Sequence, residues 1–372
     1  MVPLAQIIRE ETAKQGAIPF ARFMELALYC PDCGFYETEK DSVGRSGDFY
    51  TSVSVGSLFG ELLAFQFAGW FTERGVRSAE CGTENLQLIE AGAHNGQLAG
   101  DILNWLKTLR PEIFARTEYL IIEPSACRRE WQQKRLAEFL PQVRWLDSFP
   151  IPHSALRTPR LTICFSNELL DAMPVRRFGW DAAKREWFEW GIAAEADRFV
   201  WTRLFATVPS SILNLPSSPE LLAVLPDGYT LEISATAEKW WSDAARSLQH
   251  GKLLAFDYGF GAEEMISPGR HNGTLRGYRD HKQVEDILAD PGQQDITAHV
   301  NFARIEEVGL AAGLATELFE TQGRFLTRLA AEAWKPEAKF GAWDQKRTRQ
   351  FQTLTHPEHL GRSFRVLVQS RD

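Results

Sequence analysis

The stretch that most constrains the fold of this chain is LIEAGAHNGQLAGDIL, residues 88–103. It begins with an apolar run that ends in Glu90, and small residues with two glycines, Gly92 and Gly96, come next. Apolar residues then recur at spacings of three and four, which is the pattern of one face of a helix. The stretch therefore predicts a β-strand, a tight glycine turn and an α-helix in succession.

A turn of this kind suits a ligand that approaches the backbone. Glycine has no Cβ and tolerates positive φ, so a ligand can lie close to the chain, and the following helix offers N–H groups at its N-terminus. The pattern indicates a nucleotide-type ligand. The same residues also fit an ordinary strand–helix turn of an α/β domain, so this stretch alone leaves both interpretations open.

Short apolar runs and helical patterns alternate along the rest of the chain. The other apolar runs lie at residues 119–123, 161–166 and 252–259. Helical spacing is found at residues 97–109, 125–139 and 236–249. Near-continuous apolar runs are typical of parallel strands that helices cover on both faces. The alternation therefore predicts a doubly wound α/β sheet.

The sequence predicts three parts. Residues 1–75 are predicted to be helical, with a glycine-rich polar loop at 34–52 whose length is typical of functional or disordered segments. Residues 175–230 alternate polar and apolar side chains, which is typical of antiparallel strands. We interpret them as a β-rich insertion in the α/β domain, which comprises residues 76–174 and 231–372.

Composition and charge exclude several classes of protein. The 372 residues carry a net charge of −8, with a pI near 5.6. This argues against nonspecific binding to nucleic acid, which needs a basic surface. The sequence has no apolar run of about 18 residues, so we expect no insertion into a membrane. The N-terminal stretch contains acidic residues early and lacks the long apolar segment of a secretory signal, so a cytoplasmic location is expected.

The five cysteines argue against a disulfide framework, because the count is low and odd for so long a chain. Two of them, Cys30 and Cys33, form one CxxC pair. A structural zinc site normally has four ligands, and the sequence supplies no second pair to complete one. We therefore expect a reducing compartment, no metal site, and two incidental thiols in a loop.

Acidic residues follow the predicted strands. They are Glu90, Glu123, Glu168 and Asp257. Ligands of open α/β sheets bind at the carboxyl ends of the strands. Glu123 suits a ribose, because one carboxylate can accept hydrogen bonds from both vicinal hydroxyls. NAD and S-adenosylmethionine both carry this ribose, and a surface or capping carboxylate is a further interpretation.

The spacing of the glycines distinguishes between NAD and S-adenosylmethionine as the ligand. An NAD enzyme uses GxGxxG to bind the pyrophosphate, whereas Gly92 and Gly96 are four residues apart. Glu90 precedes the first of them by two residues. Its charge would repel a pyrophosphate but attract the ammonium and sulfonium groups of S-adenosylmethionine. The residues therefore favour methyl transfer over hydride transfer.

Seven motifs occur in order along nearly the whole chain. They are GDFYTS (47–52), EAGAHNG (90–96), NELLDAMP (167–174), DYG (257–259), GTLRGY (273–278), DITAHVNF (295–302) and TQGRFL (321–326). Together they resemble the MidA family of S-adenosylmethionine-dependent methyltransferases, which includes a mitochondrial assembly factor of respiratory complex I that methylates a protein arginine. The resemblance implies a class I methyltransferase-like, doubly wound and mostly parallel sheet, with a helical N-terminal extension and an antiparallel β insertion. It also implies S-adenosylmethionine as the cofactor and a protein substrate of the respiratory-subunit type.

The resemblance also implies roles for individual residues. The cofactor-binding residues are Gly47, Asp48 and Tyr50 in a loop that closes over the cofactor, Glu90, Gly92 and Gly96 in the glycine turn, and Glu123 at the ribose. The residues at the reaction centre are Asn167, Glu168 and Asp171. Glu168 and Asp171 are carboxylates that can orient the planar guanidinium of an arginine. For Asp171, a helix or turn cap is the alternative interpretation.

One residue departs from the family pattern. The family loop resembles ExGxGxG, and His94 stands at the middle glycine. A residue other than glycine at positive φ costs on the order of 1 kcal/mol, and its side chain needs space. Our first hypothesis is an S-adenosylmethionine-dependent methyltransferase acting on a protein arginine. The alternative, motivated by His94, is an assembly or interaction protein that keeps the fold without turnover. A third hypothesis, an NAD-dependent oxidoreductase, is disfavoured by Glu90.

Overall fold

The computed structural model describes residues 3–38, 51–77, 86–149, 161–204, 219–264, 266–280 and 282–372. The predicted cofactor-covering residues Gly47, Asp48 and Tyr50 lie outside this part of the chain. The chain forms two compact units. The antiparallel-sheet unit comprises Met1–Asp41, Asp171–Glu238 and Phe260–Asn301. The parallel-sheet unit comprises Ser42–Leu170, Lys239–Gly259 and Phe302–Asp372.

Helices and strands alternate through much of the chain. The helices of the described residues are α1 Leu4–Gln15, α2 Phe20–Tyr29, α3 Leu58–Arg77, α4 Gln97–Leu109, α5 Pro111–Phe114, α6 Ala126–Arg135, α7 Pro219–Val224, α8 Ala235–Ser247, α9 Phe302–Ala311, α10 Gln322–Ala333 and α11 Gln345–Thr355. The strands are β1 Ile18–Pro19, β2 Leu86–Ala91, β3 Thr117–Ile122, β4 Val143–Leu146, β5 Leu161–Asn167, β6 Arg176–Asp181, β7 Glu186–Glu195, β8 Arg198–Leu204, β9 Thr230–Ile233, β10 His250–Phe260, β11 Arg276–Arg279, β12 Lys282–Val284, β13 Asp295–Thr297, β14 Val300–Asn301, β15 Ala315–Thr321 and β16 Phe364–Arg371.

The antiparallel-sheet unit is built around the long strand β7. This strand pairs antiparallel with β6 and with β8, and β6 in turn pairs with β9. The alternating polar and apolar residues predict antiparallel strands here, and the prediction is confirmed. Strand β1 also pairs with β7, with Ile18 opposite Ile192. The N-terminal helices and the strands of the predicted insertion therefore belong to one unit.

The parallel-sheet unit contains a sheet of order β15–β16–β10–β5–β2–β3–β4. Strands β10, β5, β2, β3 and β4 are mutually parallel, and β16 runs antiparallel to both β10 and β15. All six residues of β2 are buried, as expected for a near-continuous apolar strand in the middle of such a sheet. The predicted doubly wound, mostly parallel sheet is confirmed.

Aromatic packing fixes α3 against the parallel sheet. Phe59 packs edge-on against Phe256 of β10, with ring centroids 5.5 Å apart. Phe67, two turns further along the helix, lies 5.1 Å from Phe165 of β5. Both strands carry candidate functional residues at their carboxyl ends, so these aromatic contacts hold the strands that position them.

The C-terminal part of the chain contains two separate helices, α10 and α11. They are separate because Pro336 follows α10 and places Lys335 in an extended conformation, with ψ at 136°. Strands β4 and β15 are not predicted from the sequence. Strand β4 has only four residues, and β15 is exposed or half-buried along its length. No helix in the described part of the chain is long and apolar enough to cross a membrane.

Candidate active site

The topology of the parallel sheet marks one edge as the place for a ligand. Open α/β sheets bind ligands where neighbouring strands connect to opposite sides of the sheet. Here that point lies between β2 and β5, because the chain leaves β2 toward β3 and β4 but leaves β5 toward β10. Ala91, at the end of β2, is the register partner of Ser166 in β5. The residues that follow them, Gly92 and Asn167, therefore lie at the same edge.

The turn after β2 has positive φ at alternate residues. The φ angle is 72° at Gly92, 47° at His94 and 79° at Gly96. A Cβ on Gly92 would lie 2.9 Å from Leu169 Cδ1, so a side chain here would displace Leu169 and would also strain the backbone at this φ. Helix α4 begins directly after Gly96. The predicted succession of strand, glycine turn and helix is confirmed.

His94 has the positive φ that its place in the glycine pattern predicts. Its ring lies edge-on to the Trp131 ring, with centroids 6.1 Å apart. Burial lowers the pKa of His94 to about 3, and the charges of Arg128 and Arg135 act in the same direction. The imidazole is therefore neutral near pH 7, and the space that a side chain requires at this position is supplied beside Trp131.

Glu90 is a buried carboxylate at the end of β2, with 2% of its surface exposed. The Tyr119 hydroxyl donates a hydrogen bond to Glu90 Oε2 at 2.6 Å. Burial raises the pKa of Glu90 to about 7, with a smaller contribution from Asp101 in the same direction and an opposing one from the Tyr119 hydrogen bond. Burial and the charge of Glu61 likewise raise the pKa of Asp101 to about 7. A cationic ligand near Glu90 would stabilise its charged form.

Glu123 is held by a hydrogen-bond network directly after β3. The Ser125 N–H donates to Glu123 Oε1 at 3.0 Å, and Gln132 Nε2 donates to Glu123 Oε2 at 3.0 Å. The same amide nitrogen donates to the carbonyl oxygen of His94 at 2.9 Å. Trp145 Nε1 in β4 donates to Gln132 Oε1 at 2.8 Å. Gln132 therefore links the glycine turn, Glu123 and strand β4.

Asp257 anchors the loop that follows β5. It is fully buried, and its Oδ2 accepts hydrogen bonds from the backbone N–H groups of Leu169, at 3.1 Å, and Leu170, at 2.8 Å. Its Oδ1 accepts from the Tyr258 N–H at 2.8 Å. A carboxylate that accepts three backbone N–H groups fixes the loop by charge-assisted bonds. Asp257 thus positions the residues after β5.

Asn167 and Glu168 are brought together at the end of β5. Glu168 has φ at 52°, a conformation that costs about 1–3 kcal/mol and is concentrated at functional sites. Its Oε1 accepts hydrogen bonds from Asn167 Nδ2 at 2.9 Å and from the Ser52 N–H at 3.2 Å. Asn167 Oδ1 is buried and has no hydrogen-bond partner among the described residues. A ligand that donates an N–H would satisfy this oxygen.

Asp171, the third predicted residue of the reaction centre, is described within the antiparallel-sheet unit. It is 4% exposed, and its backbone carbonyl accepts a hydrogen bond from the Ala298 N–H at 2.9 Å. Burial and the Asp295 carboxylate raise the pKa of Tyr36 well above its usual range, and the Asp171 carboxylate adds to this effect. Burial also raises the pKa of Tyr278, and Asp171 contributes there as well. Asp171 therefore lies in acidic, tyrosine-rich surroundings.

The sequence prediction does not include Tyr119 and Gln132, two residues of the site. Strand register gives a signal for the first, and helical spacing gives a partial one for the second. Leu88 is the register partner of Tyr119, and side chains two residues apart share one face of a strand, so Glu90 and Tyr119 are on the same face. Gln132 lies one helical turn after Arg128, and both are buried on α6. This spacing places the two side chains on one face of α6, but the sequence does not show that this face is turned toward the glycine turn.

Comparison with families of known proteins gives one match over most of the chain. The model of a family described as S-adenosyl-L-methionine-dependent methyltransferases matches residues 62–319. The matched range contains the glycine turn, Glu123 and both residues at the end of β5.

Curated relatives match nearly the full length. The chain is 26% identical to the protein arginine methyltransferase NDUFAF7 homolog, mitochondrial, of Drosophila melanogaster, over 98% of this chain and 84% of that protein. It is also 26% identical to the protein arginine methyltransferase NDUFAF7, mitochondrial, of Mus musculus, over 98% of this chain and 83% of that protein. The expectation of a cytoplasmic location is contradicted by this finding, because these relatives are named as mitochondrial proteins.

A solved structure shares the fold over the whole chain. It is a crystal structure of a superfamily member from Burkholderia thailandensis bound to S-adenosyl-homocysteine. The two are 29% identical with a TM-score of 0.81, and the match covers 99% of this chain and 92% of that one. S-adenosyl-homocysteine is what S-adenosylmethionine becomes once its methyl group has been transferred.

Proposed function

This chain belongs to the S-adenosyl-L-methionine-dependent methyltransferase family whose model matches residues 62–319, and we propose that its acceptor is an arginine side chain of a protein. The observation that carries the proposal is the near full-length similarity to relatives named protein arginine methyltransferases. NAD-dependent oxidation, our third hypothesis, has no such support. The negative charge of Glu90 also argues against it, because it would repel the pyrophosphate of NAD. S-adenosylmethionine supplies an electrophilic methyl group on a sulfonium.

The residues around the glycine turn fit this cofactor. We propose that Glu123 accepts hydrogen bonds from the ribose hydroxyls, because one carboxylate can accept from both vicinal hydroxyls and the bonds from Ser125 and Gln132 fix its position beside the glycine turn. Glu90 faces the positive charge of the cofactor, which favours its ionised form. Gly92 and Gly96 leave two positions of the turn without a side chain, which allows a ligand to approach the backbone there.

Three further residues complete the proposed cofactor site. Gly47, Asp48 and Tyr50 are assigned to a loop over the cofactor because they match the family motif GDFYTS. Such a loop would exclude water from the methyl group, which strengthens the electrostatic interactions inside the site.

At the reaction centre, the enzyme has mainly to align the acceptor nitrogen with the methyl group, since methyl transfer is an in-line displacement. We propose that Asn167 Oδ1 accepts an N–H of the acceptor and that the Glu168 carboxylate orients its guanidinium. The strained φ of Glu168 and the buried Asn167 oxygen support these roles. Asp171 is proposed as a second carboxylate for the substrate, on the family motif alone.

The proposed protein substrate is a subunit of a respiratory-type complex. This finer proposal rests on the resemblance to the family that contains a complex I assembly factor. It predicts that a fraction enriched in such complexes accepts more methyl groups than a fraction depleted of them.

A labelling experiment tests the proposal. The protein is incubated with methyl-labelled S-adenosylmethionine and a lysate of its source, and the labelled protein is hydrolysed to amino acids. We expect label in methylarginine, with loss of at least about a hundredfold for Glu168→Gln. Glu130→Gln is the matched control, because Glu130 is exposed on α6. Label in another amino acid, or no labelled acceptor while the cofactor binds, contradicts the proposal.

The alternative of an assembly protein without turnover rests on the positive φ of His94. Calorimetry with S-adenosylmethionine, S-adenosylhomocysteine and NAD separates the two functions. A catalytic protein binds the first two. A protein that has lost cofactor binding through His94 binds none of them and regains S-adenosylmethionine binding in His94→Gly.

A further inference from the structure

The CxxC pair lies in a tight turn at the end of α2, within the antiparallel-sheet unit. The Cys33 N–H donates a hydrogen bond to the Cys30 carbonyl at 3.2 Å, and Asp32 has φ at 63°. The ends of such a turn lie less than about 7 Å apart, and a disulfide spans Cα separations of about 4.4–6.8 Å. The two Sγ atoms are 3.0 Å apart. The backbone therefore already has the spacing that a disulfide requires.

The segment that contains the pair is held at both ends. The Tyr29 hydroxyl donates to the Ala172 carbonyl at 3.0 Å, and the Tyr36 hydroxyl donates to Asp295 Oδ1 at 2.6 Å. The rings of Tyr29 and Tyr36 are 5.5 Å apart. Because the flanking residues are fixed, closing a disulfide requires rotation of the cysteine side chains rather than movement of the segment.

A pocket adjoins one of the two thiols. Its volume is about 700 Å³, and Cys33 is one of its lining residues. This lies within the range of roughly 300–1,000 Å³ typical of small-molecule sites. The lining carries two arginines, Arg9 and Arg198, that can pair with carboxylates, and four aspartates, at positions 32, 197, 286 and 290, that can pair with ammonium groups. Cys30 is 8% exposed and does not line the pocket.

We propose that Cys30 and Cys33 form a reversible dithiol–disulfide site, oxidised by a low-molecular-weight disulfide that reaches Cys33 through this pocket. Glutathione disulfide is a disulfide of this kind, and its ammonium groups can pair with the aspartates of the lining and its carboxylates with the arginines. The site lies in the antiparallel-sheet unit and uses none of the residues proposed for the cofactor or the reaction centre.

The reaction proceeds in two exchanges. The Cys33 thiolate attacks one sulfur of the small disulfide, a mixed disulfide forms, and the departing thiolate takes up the proton that Cys33 lost. The Cys30 thiolate then attacks Cys33 Sγ, the Cys30–Cys33 bond forms, and the second small thiolate leaves with the proton from Cys30. Two cysteine thiols are oxidised, and one small disulfide is reduced to two thiols.

The first exchange is slow at neutral pH. Partial burial and the hydrogen bond with Cys30 raise the pKa of Cys33 to about 12, so the attacking thiolate is scarce. The rate should therefore rise about tenfold for each unit of pH across the range in which the protein is folded. This dependence distinguishes the pair from a fast redox sensor, whose attacking cysteine has a lowered pKa.

The test uses the full chain carrying Cys81→Ser and Cys127→Ser, so that Cys30, Cys33 and the fully buried Cys164 are its cysteines. Glutathione disulfide is added at pH 7, 8 and 9, and intact mass is followed with time. We expect the loss of two hydrogen atoms with no glutathionyl adduct at the end point, and a peptide map that links Cys30 to Cys33. Added dithiothreitol should restore the starting mass.

Two variants separate the roles of the thiols. Cys30→Ser should accumulate a stable glutathionyl adduct on Cys33, because nothing displaces it. Cys33→Ser should gain no adduct, because Cys30 is buried. A persistent mixed disulfide in the parent overturns the proposal, and so does no reaction with either glutathione disulfide or the smaller oxidant diamide. Equal rates at pH 7 and pH 9 overturn the assignment of Cys33 as the attacking thiol.

Discussion

The two loops at the ends of β2 and β5 lie at the same sheet edge but are held in different ways. The β2 loop, residues 92–96, has glycine at two of its three positive-φ positions, and a neutral amide, Gln132, anchors it. The β5 loop, residues 167–170, has its positive φ at Glu168, and the buried carboxylate Asp257 anchors it. In the β2 loop, glycine avoids most of the backbone strain of positive φ. In the β5 loop the strain at Glu168 remains, and the hydrogen bonds of a charged side chain offset it.

The two anchors differ in how much free energy their hydrogen bonds contribute. A neutral hydrogen bond contributes about 0.5–1.5 kcal/mol, and bonds to a charged group contribute about twice as much. The strained Glu168 needs the stronger anchor, because its backbone alone costs about 1–3 kcal/mol. We therefore expect the β5 loop to depend on a single side chain more than the β2 loop does.

Asp257→Ala should have the largest effect. It removes the acceptor of three backbone N–H groups in a fully buried place, so the free energy of unfolding should fall by about 3–5 kcal/mol. Methyl transfer should fall at least about a hundredfold, because the β5 loop loses its position. Urea denaturation and the labelling assay measure the two quantities.

The control for this change is Asp147→Ala, because the Asp147 side chain is 86% exposed in its ion pair with Arg129. An exposed pair of this kind contributes about 0–1 kcal/mol. If Asp257→Ala is no more destabilising than this control, the β5 loop does not depend on its charged anchor and the comparison fails.

Glu90→Gln tests the electrostatics of the β2 side. With a pKa of about 7 in the cofactor-free protein, Glu90 is mostly protonated at pH 6 and mostly ionised at pH 8. A cationic cofactor binds the ionised form, so its affinity should rise about tenfold over this interval. Glu90→Gln should bind weakly, with no such rise. Calorimetry at pH 6, 7 and 8 measures the effect.

The stability of the cofactor-free protein should change in the opposite direction. The folded-state pKa of Glu90 lies above the ordinary value of 4.5, so the folded state holds the proton more tightly. The free energy of unfolding should therefore fall as pH rises from about 4.5 to 7, and Glu90→Gln should remove its share of that fall. Asp101→Asn is the matched control, since its carboxyl has a similar pKa. If Asp101→Asn abolishes the pH dependence of binding and Glu90→Gln does not, the cation partner is misassigned.

Gln132→Ala should have an intermediate effect. It removes the donor to both Glu123 and the His94 carbonyl, so affinity for S-adenosylhomocysteine should fall about tenfold. Trp145→Phe is its control, because it removes only the bond to the amide oxygen and leaves the donor in place. A larger loss of stability in Gln132→Ala than in Asp257→Ala would reverse the comparison of the two anchors.

A pair of substitutions at His94 should have the smallest effect. His94→Ala removes the imidazole but keeps a Cβ at positive φ, whereas His94→Gly removes both. The glycine variant should be more stable than the alanine variant by about 1 kcal/mol. Thermal denaturation of the two variants measures the relief of backbone strain less the greater freedom of glycine in the unfolded chain. Equal stability would mean that the strain stored by the β2 loop at this position is no larger than the cost of that freedom.

Much of the fold follows from patterns in the sequence. The near-continuous apolar strands and the helices between them are predictable because each buries its apolar side against a neighbour. Strand β15 is not, because it is exposed or half-buried along its length and its side chains carry no strong apolar signal. Its place comes from pairing with β16, which is a contact between distant parts of the chain.

The candidate site likewise contains residues that the sequence predicts and residues that it does not. The glycine turn and Glu123 stand next to predicted strands, so local sequence locates them. The contacts of Gln132 depend on which side chain of α6 faces the glycine turn. The surroundings of Asp171 include residues more than a hundred positions away in the sequence, such as Asp295. Neither relation is present in any short stretch of the sequence.

The bonds of Gln132 make Trp145 a reporter of the cofactor. Its indole N–H donates to Gln132 Oε1, and the nitrogen of the same amide contacts both the glycine turn and Glu123. A ligand that forms hydrogen bonds with Glu123 and shifts its side chain should therefore change the magnetic environment of the Trp145 indole proton in β4. In a two-dimensional NMR spectrum, the cross-peak that disappears in Trp145→Phe is the one expected to move during a titration.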